Sequence, residues 1–173
     1  MAEMIMDGIL ETLYMTIVST ILAYVFGLPL GVLLVVSGKN GIKPMPTINV
    51  IISFIVNVFR SIPFLILLVA IIPFTRFIVG TMLGSTAAIV PLTVAAAPFV
   101  ARLVETSLSE VDSGVVEAAE SMGAGTWQII RKVLLPEAKP SLINNATVAT
   151  ITILGYSAMA GFTGGGGLGD IAT

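Results

Sequence analysis

The chain has no cysteine and no histidine among its 173 residues. The first absence excludes disulfides, thiolate-held metals and thiol chemistry, and leaves the redox compartment open. The second removes the commonest general base and the commonest neutral metal ligand together. Charge is scarce too. Asp, Glu, Lys and Arg make up 10% of the residues, against roughly 25% in a soluble domain that must wet its surface. Eight basic side chains and a net charge of −2 leave no electrostatic footprint for nucleic acid. The phosphate-cradling pattern G-x-x-x-x-G-K-[ST] is also missing; the glycine-rich GFTGGGGLG carries no lysine and hydroxyl after it. No nucleotide cofactor is expected on this chain. What is present is apolar: 56% of the residues are hydrophobic. Such a composition predicts lipid around one all-α, polytopic membrane domain over 1–173.

The first eleven residues carry Glu3, Asp7 and Glu11 and no basic residue, unlike a secretory signal. Thr12 to Gly38 then gives 27 uncharged residues, where about 20 suffice to cross the hydrocarbon layer. A first span is predicted at about 12–36. Pro29, between Gly27 and Gly31, is read either as a bend with a close helix neighbour or as a cluster that membrane helices simply tolerate. After the polar turn KNGIKPMP, a second span is expected at about 52–74, broken or bent near Pro63. Arg60 inside it is costly against lipid, so it either closes an interfacial lead-in helix or lines a helix break beside a transport path. The stretch TRFIVGTM reads as a short external turn. A third span follows at about 78–101, with small residues suited to tight helix packing, and a fourth at about 142–159. The terminal GFTGGGGLGDIAT is too glycine-rich to continue as a stable helix, and GFTGGGGLG within it reads as a flexible outer turn.

Between the last two spans, residues 102–139 hold ten of the chain's eighteen charged side chains and no run long enough to cross. With the N-terminus outside, the inner segments carry Lys39, Lys43, Arg102, Arg131, Lys132 and Lys139, and the outer ones only Arg76, with Arg60 set aside as ambiguous. That bias places 102–139 in the cytoplasm. The loop reads as helix, turn, helix. Ser113 is expected to cap the first helix, with Val116, Ala119 and Met122 on one face, and Gly123 to stop it. Thr126 is expected to cap the second, before Pro136 leads into the fourth span. Glu117 and Glu120 lie one turn apart without a basic neighbour on their own helix. Small side chains at Ala118 and Ala119 leave room for another surface. A solvated connector is the plainer reading of the same residues.

The spacing then becomes specific. Glu117-Ala118-Ala119, three residues, Gly123, nine residues, Val133, one residue, Leu135-Pro136 resembles the EAA motif of ABC importer permeases, with Val133 where isoleucine is usual. The segments NVFRSIPF, IIPFTRFIVGT, AAIVPLTVAAAPFVAR, RKVLLPEA and GYSAMAG resemble the methionine-import (MetI-like) family over nearly the whole chain. The resemblance implies a type I importer permease fold in the bacterial inner membrane and D- or L-methionine as substrate. It also implies a homodimer, a separate ABC ATPase that binds ATP, and a periplasmic binding lipoprotein. On it, Glu117, Ala118, Ala119, Glu120 and Gly123 would form the coupling helix, and Val133, Leu135 and Pro136 would fix the following segment. Such permeases carry five spans. Four are read here, so a truncated chain is expected, and a permease for another amino acid or an inactive scaffold are the alternatives. A membrane enzyme would need a reactive cluster, and Glu105, Glu110 and Asp112 lack the histidine, cysteine or ligand spacing for one. A carrier acting alone would need an acid within a span, and none has one.

Overall fold

The computed structural model describes residues 2–172, and all its regular elements are helical: α1 (Ala2–Ser37), α2 (Pro46–Ser61), α3 (Phe64–Ala70), α4 (Ile72–Val79), α5 (Ser85–Ser109), α6 (Ser113–Ser121), α7 (Thr126–Ile129), α8 (Leu135–Glu137), α9 (Lys139–Gly161) and α10 (Gly167–Ile171). α5 is the central helix, touching α1, α2, α3, α4 and α9. Among the described residues, α1 and α5 are long and apolar enough to cross a membrane, and α2 with α3 forms a third such segment bent by 101°. α9 has the length, but Asn144, Asn145 and its threonines lower its apolarity.

The sequence of α1 explains its packing. Thr12, Met15, Thr16, Ser19, Ala23, Gly27, Gly31 and Leu34 recur every three or four residues and are all buried. The opposite face presents Leu10, Leu13, Ile17, Ile21, Val25 and Phe26 outward. Large apolar side chains outside and small or weakly polar ones inside is the arrangement of helices packed in lipid. At Gly27 a Cβ would lie 2.8 Å from the Ala97 carbonyl oxygen, and at Gly31 2.6 Å from that of Ala101. Both lie against backbone, which cannot swing aside as a side chain does. Increasing numbers pair with increasing numbers, so α1 and α5 run parallel at this seam.

The turn after α1 shows how a buried helix end is satisfied. The amide N–H groups of Lys43 and Met45 donate to the carbonyls of Val36 and Ser37 at 3.1 and 3.0 Å. The Asn49 side chain donates to the Leu34 carbonyl at 2.8 Å and to Ser37 Oγ at 3.1 Å. These carbonyls have no partner within the helix itself.

Three sequence expectations are corrected. TRFIVGTM is not a turn through its length: Thr75–Val79 continue α4, and the reversal falls between Gly80 and Gly84. Consequently the stretch 78–84 does not belong to the third long helix, which starts at Ser85 and runs on to Ser109. GFTGGGGLG is not a free turn either. Its end opens α10, seated on α1, where the Gly167 N–H donates to the Glu11 carboxylate at 2.7 Å and the Leu168 N–H to Thr12 Oγ1 at 2.9 Å. Gly166 and Gly167 hold φ of +75° and +76°, and a Cβ on either would strike Glu11 or Thr12. Glycine is needed there for close approach, not for mobility. The remaining first, second and fourth segments fall within α1, across α2 to α4, and within α9.

The α1–α5 seam yields a first prediction. Gly31→Leu should lower stability by about 2 kcal/mol or more through overpacking against backbone, whereas Val25→Leu on the outer face should change it by less than about 0.5 kcal/mol. Thermal unfolding of the two variants in detergent checks the difference.

Candidate functional site

The charged segment between α5 and α9 folds back on the helices that carry it. α6 starts at Asp112, whose Oδ1 accepts the Gly114 N–H at 2.7 Å, so Asp112 is the N-cap and Ser113, expected in that role, is already helical. The helix ends in a Schellman arrangement. The Ala124 N–H donates to the Ala119 carbonyl at 3.1 Å and the Gly123 N–H to the Glu120 carbonyl at 2.9 Å, with Gly123 at φ +81°. The glycine stop is therefore where its spacing predicted. Gly125, rather than Thr126, caps α7, and its N–H donates to Gln128 Oε1 at 3.0 Å. A π-helical turn over Ile130–Leu134 follows, placing Ile130 and Leu134 inward while Arg131 and Lys132 stay exposed.

Burial divides the motif residues. Glu117, Ala118, Glu120, Gly123 and Pro136 are exposed, and Val133 and Leu135 are half-buried against the core. Ala119 is only 5% exposed and lies in one apolar cluster with Val104, Leu108, Ile129, Ile130, Leu134, Ala149 and Ile153. The two alanines thus do different things. Ala118 leaves the outer surface low, whereas Ala119 lets α6 sit close on its own chain, so the surface that Ala119 admits is the core of the same molecule. Met122, expected on the inner face with Val116 and Ala119, is instead 83% exposed, as Trp127 is at 69%.

Glu117 and Glu120 share with Glu105 a groove of about 550 Å³, bounded on its far side by the turn from Gly38 to Ile42. Glu105 is paired with Arg102; neither Glu117 nor Glu120 has an ion-pair partner among the described residues. Three carboxylates on an open groove, two of them unneutralised, make this surface one that attracts cationic side chains. Among the described residues there is no group of three or more side chains able to hold a metal.

The second pair of sequence candidates lies apart from this groove. Pro63 is the N-cap of α3 at the 101° break, and Arg60, in the last turn of α2, is exposed without a hydrogen bond or ion pair among the described residues.

Sequence reasoning missed two polar links at the base of the loop. Arg102 donates to Asn57 Oδ1 at 2.9 Å, joining α5 to α2. Asn145 of α9 donates to Ser107 Oγ at 2.8 Å, and Ser141 Oγ lies 3.1 Å from Ser107 Oγ and 2.8 Å from Glu110 Oε2. The available signal for the second link was a pair of asparagines in an otherwise apolar stretch.

Comparison with known proteins bears on the whole chain. Residues 23–173 match the family described as binding-protein-dependent transport system inner membrane component. The chain is 52% identical over 171 residues to the probable D-methionine transport system permease protein MetI of Vibrio cholerae, covering 99% of this chain and 76% of that one. It is 60% identical over 154 residues to the D-methionine transport system permease protein MetI of Yersinia pestis, covering 89% and 71%. Among solved structures it resembles an inward-facing conformation of the MetNI methionine ABC transporter, with a TM-score of 0.98 and 56% identity over 99% of this chain and 80% of that one.

The cap at Asp112 can be tested alone. Asp112→Ala should destabilise α6 locally by about 1 kcal/mol. Hydrogen exchange at the amides of Gly114 and Val115 should accelerate accordingly, with α9 unchanged.

Proposed function

The chain belongs to the binding-protein-dependent transport system inner membrane components, and on that premise we propose that its α6 is the element through which an ATPase drives transport. The chain is a multi-pass inner-membrane permease subunit of a methionine ABC importer. It hydrolyses nothing itself, and it works with an ATPase subunit and a second permease copy.

The observation that carries the coupling role is the split within α6. Its outer side offers Glu117, Ala118 and Glu120 to a partner, while Ala119 is seated in the same core as α5 and α9. A partner gripping the outer side therefore acts on packed helices and not on a slack tether. Packed interiors transmit displacement because they have few voids to absorb it. Gly123 ends the helix sharply enough for the chain to turn back into that core, Val133 and Leu135 seat the following segment against it, and the exposed Pro136 lies at the start of α8. The acidic groove favours an ATPase surface carrying arginine or lysine.

The N-terminus lies outside and the 102–139 loop lies in the cytoplasm, as the distribution of basic residues favours. Within this reading α1, the bent α2–α3 pair with α4, α5 and α9 are the spans. Methionine, in its D form, its L form or both, reaches them from a periplasmic binding lipoprotein. Pro63 and Arg60 mark a helix break next to the path, where an unpaired cation is tolerated only near water.

Two measurements test the scheme. Glu117→Lys and Gly123→Arg should each reduce ATPase co-purification or ATP-dependent methionine uptake at least about tenfold, the factor for loss of one interaction near 1.4 kcal/mol, with membrane insertion unchanged. Normal association and uptake in both variants would remove the docking role. Because the chain has no cysteine, Ser121→Cys introduces a unique thiol. An impermeant maleimide should label it in inverted vesicles and not in intact cells; the reverse pattern would invert the topology.

A further inference from the structure

The links at the base of the loop have a direction. Ser107 is fully buried on α5, and its Oγ accepts from Asn145 Nδ2 at 2.8 Å. Ser141 Oγ lies 2.8 Å from the Glu110 carboxylate, the strongest acceptor of the group, and takes its only proton there. That leaves the Ser141 oxygen to accept from Ser107 across 3.1 Å. Asn145, Ser107, Ser141 and Glu110 therefore form a single donor-to-acceptor chain that crosses three times between α9 and α5 with its C-cap, Glu110. Asn145 also donates to the Leu103 carbonyl at 3.3 Å. In such a chain each bond strengthens the next, and removing Asn145 or Ser141 takes one partner from the buried Ser107 hydroxyl.

We propose that Ser107, Glu110, Ser141 and Asn145 form a positioning clasp that locks the two roots of the loop together, so that force applied at α6 moves α5 and α9 as one body. The clasp rests on the coupling role assigned to α6, but none of its members belongs to the face offered to the ATPase. The fully buried Ala149 and Ile153 hold α9 against the core through contacts that have no preferred direction, and hydrogen bonds add a directional constraint on register. A shift of one residue along either helix breaks all of the clasp's bonds. Without the clasp the ATPase still docks and hydrolyses ATP, while part of the stroke is lost as relative sliding of the two helices.

The complex of this chain with its ATPase, reconstituted in liposomes with the binding protein and labelled methionine, separates these roles. Asn145→Leu should leave ATPase co-purification at the wild-type level and raise the ATP hydrolysed per methionine imported about fivefold, the scale of losing one buried hydrogen bond. The Ser107→Cys, Ser141→Cys pair places two thiols where hydroxyls stand 3.1 Å apart, in a chain with no other cysteine. Reduced, it should show the same raised ratio; oxidised to the disulfide, it should return to the wild-type ratio. An unchanged ratio in Asn145→Leu and in the reduced pair overturns the clasp, as does transport abolished by the disulfide or loss of ATPase association in either variant. Failure of the coupling role itself looks different, since the unsubstituted chain would then not bind the ATPase through α6 and Glu117→Lys would have no effect on association.

Discussion

The close contact of α1 with α5 at Gly27 and Gly31 is the constraint on which the rest of this structure depends. In lipid, burying apolar surface supplies little drive for helices to associate, so packing and hydrogen bonding must hold them. Two glycines one turn apart bring one backbone against the carbonyls of Ala97 and Ala101. That proximity makes α5 a central helix. It sets where α2, α3, α4 and α9 can lie, and it carries Val104 and Leu108 down into the core that receives the loop.

Polar side chains then do locally what apolar packing cannot. Asn49 closes the end of α1 onto α2, Arg102 with Asn57 ties α2 to α5, and Asn145 with Ser107 ties α5 to α9. All three links occur at the end of the bundle that carries α6. At the opposite end, Glu11 and Thr12 receive the amides that open α10. Each link satisfies donors or acceptors that helix ends leave open or that a span buries away from water. Each is also directional, so the helices are fixed in register as well as in proximity.

Much of this was legible in the sequence and some was not, for physical reasons. Long uncharged runs announce helices because lipid demands them, and Gly123 announced a helix stop because few other residues tolerate its backbone angle. Ala119 was assigned to the motif, but the surface it would meet was not legible, since small size suits a partner's approach and a chain's own core equally well. The glycines from 164 to 167 looked like slack because the same residue serves flexibility and crowding. Crowding shows only in the fold: Leu83 lies against Gly164, Ala160 against Gly165, and Glu11 and Thr12, more than 150 residues away, against Gly166 and Gly167. Asn145 stood out as polar in an apolar stretch, but its acceptor on Ser107 follows from how α9 crosses α5 and from no local pattern.

The uneven distribution of these links bears on how the molecule can change shape. Around α6 a shared core joins Ala119 to α5, the π-helical turn and α9, and directional bonds hold α5 to α2 and to α9. The α2–α3 junction is built otherwise. Its 101° bend sits at Pro63, which lacks an amide proton to contribute, and Arg60 beside it has no partner among the described residues. The helix ladder is interrupted here, with the Ile62 N–H reaching back to the Phe59 carbonyl at 3.4 Å, and a few residues at such a boundary are where dihedral change costs least. Under the coupling role proposed for α6, a rigid attachment at one end and a compliant break within the bundle are complementary requirements. A displacement delivered through α6 does useful work on the transport path only if some other part of the same helical assembly yields to it.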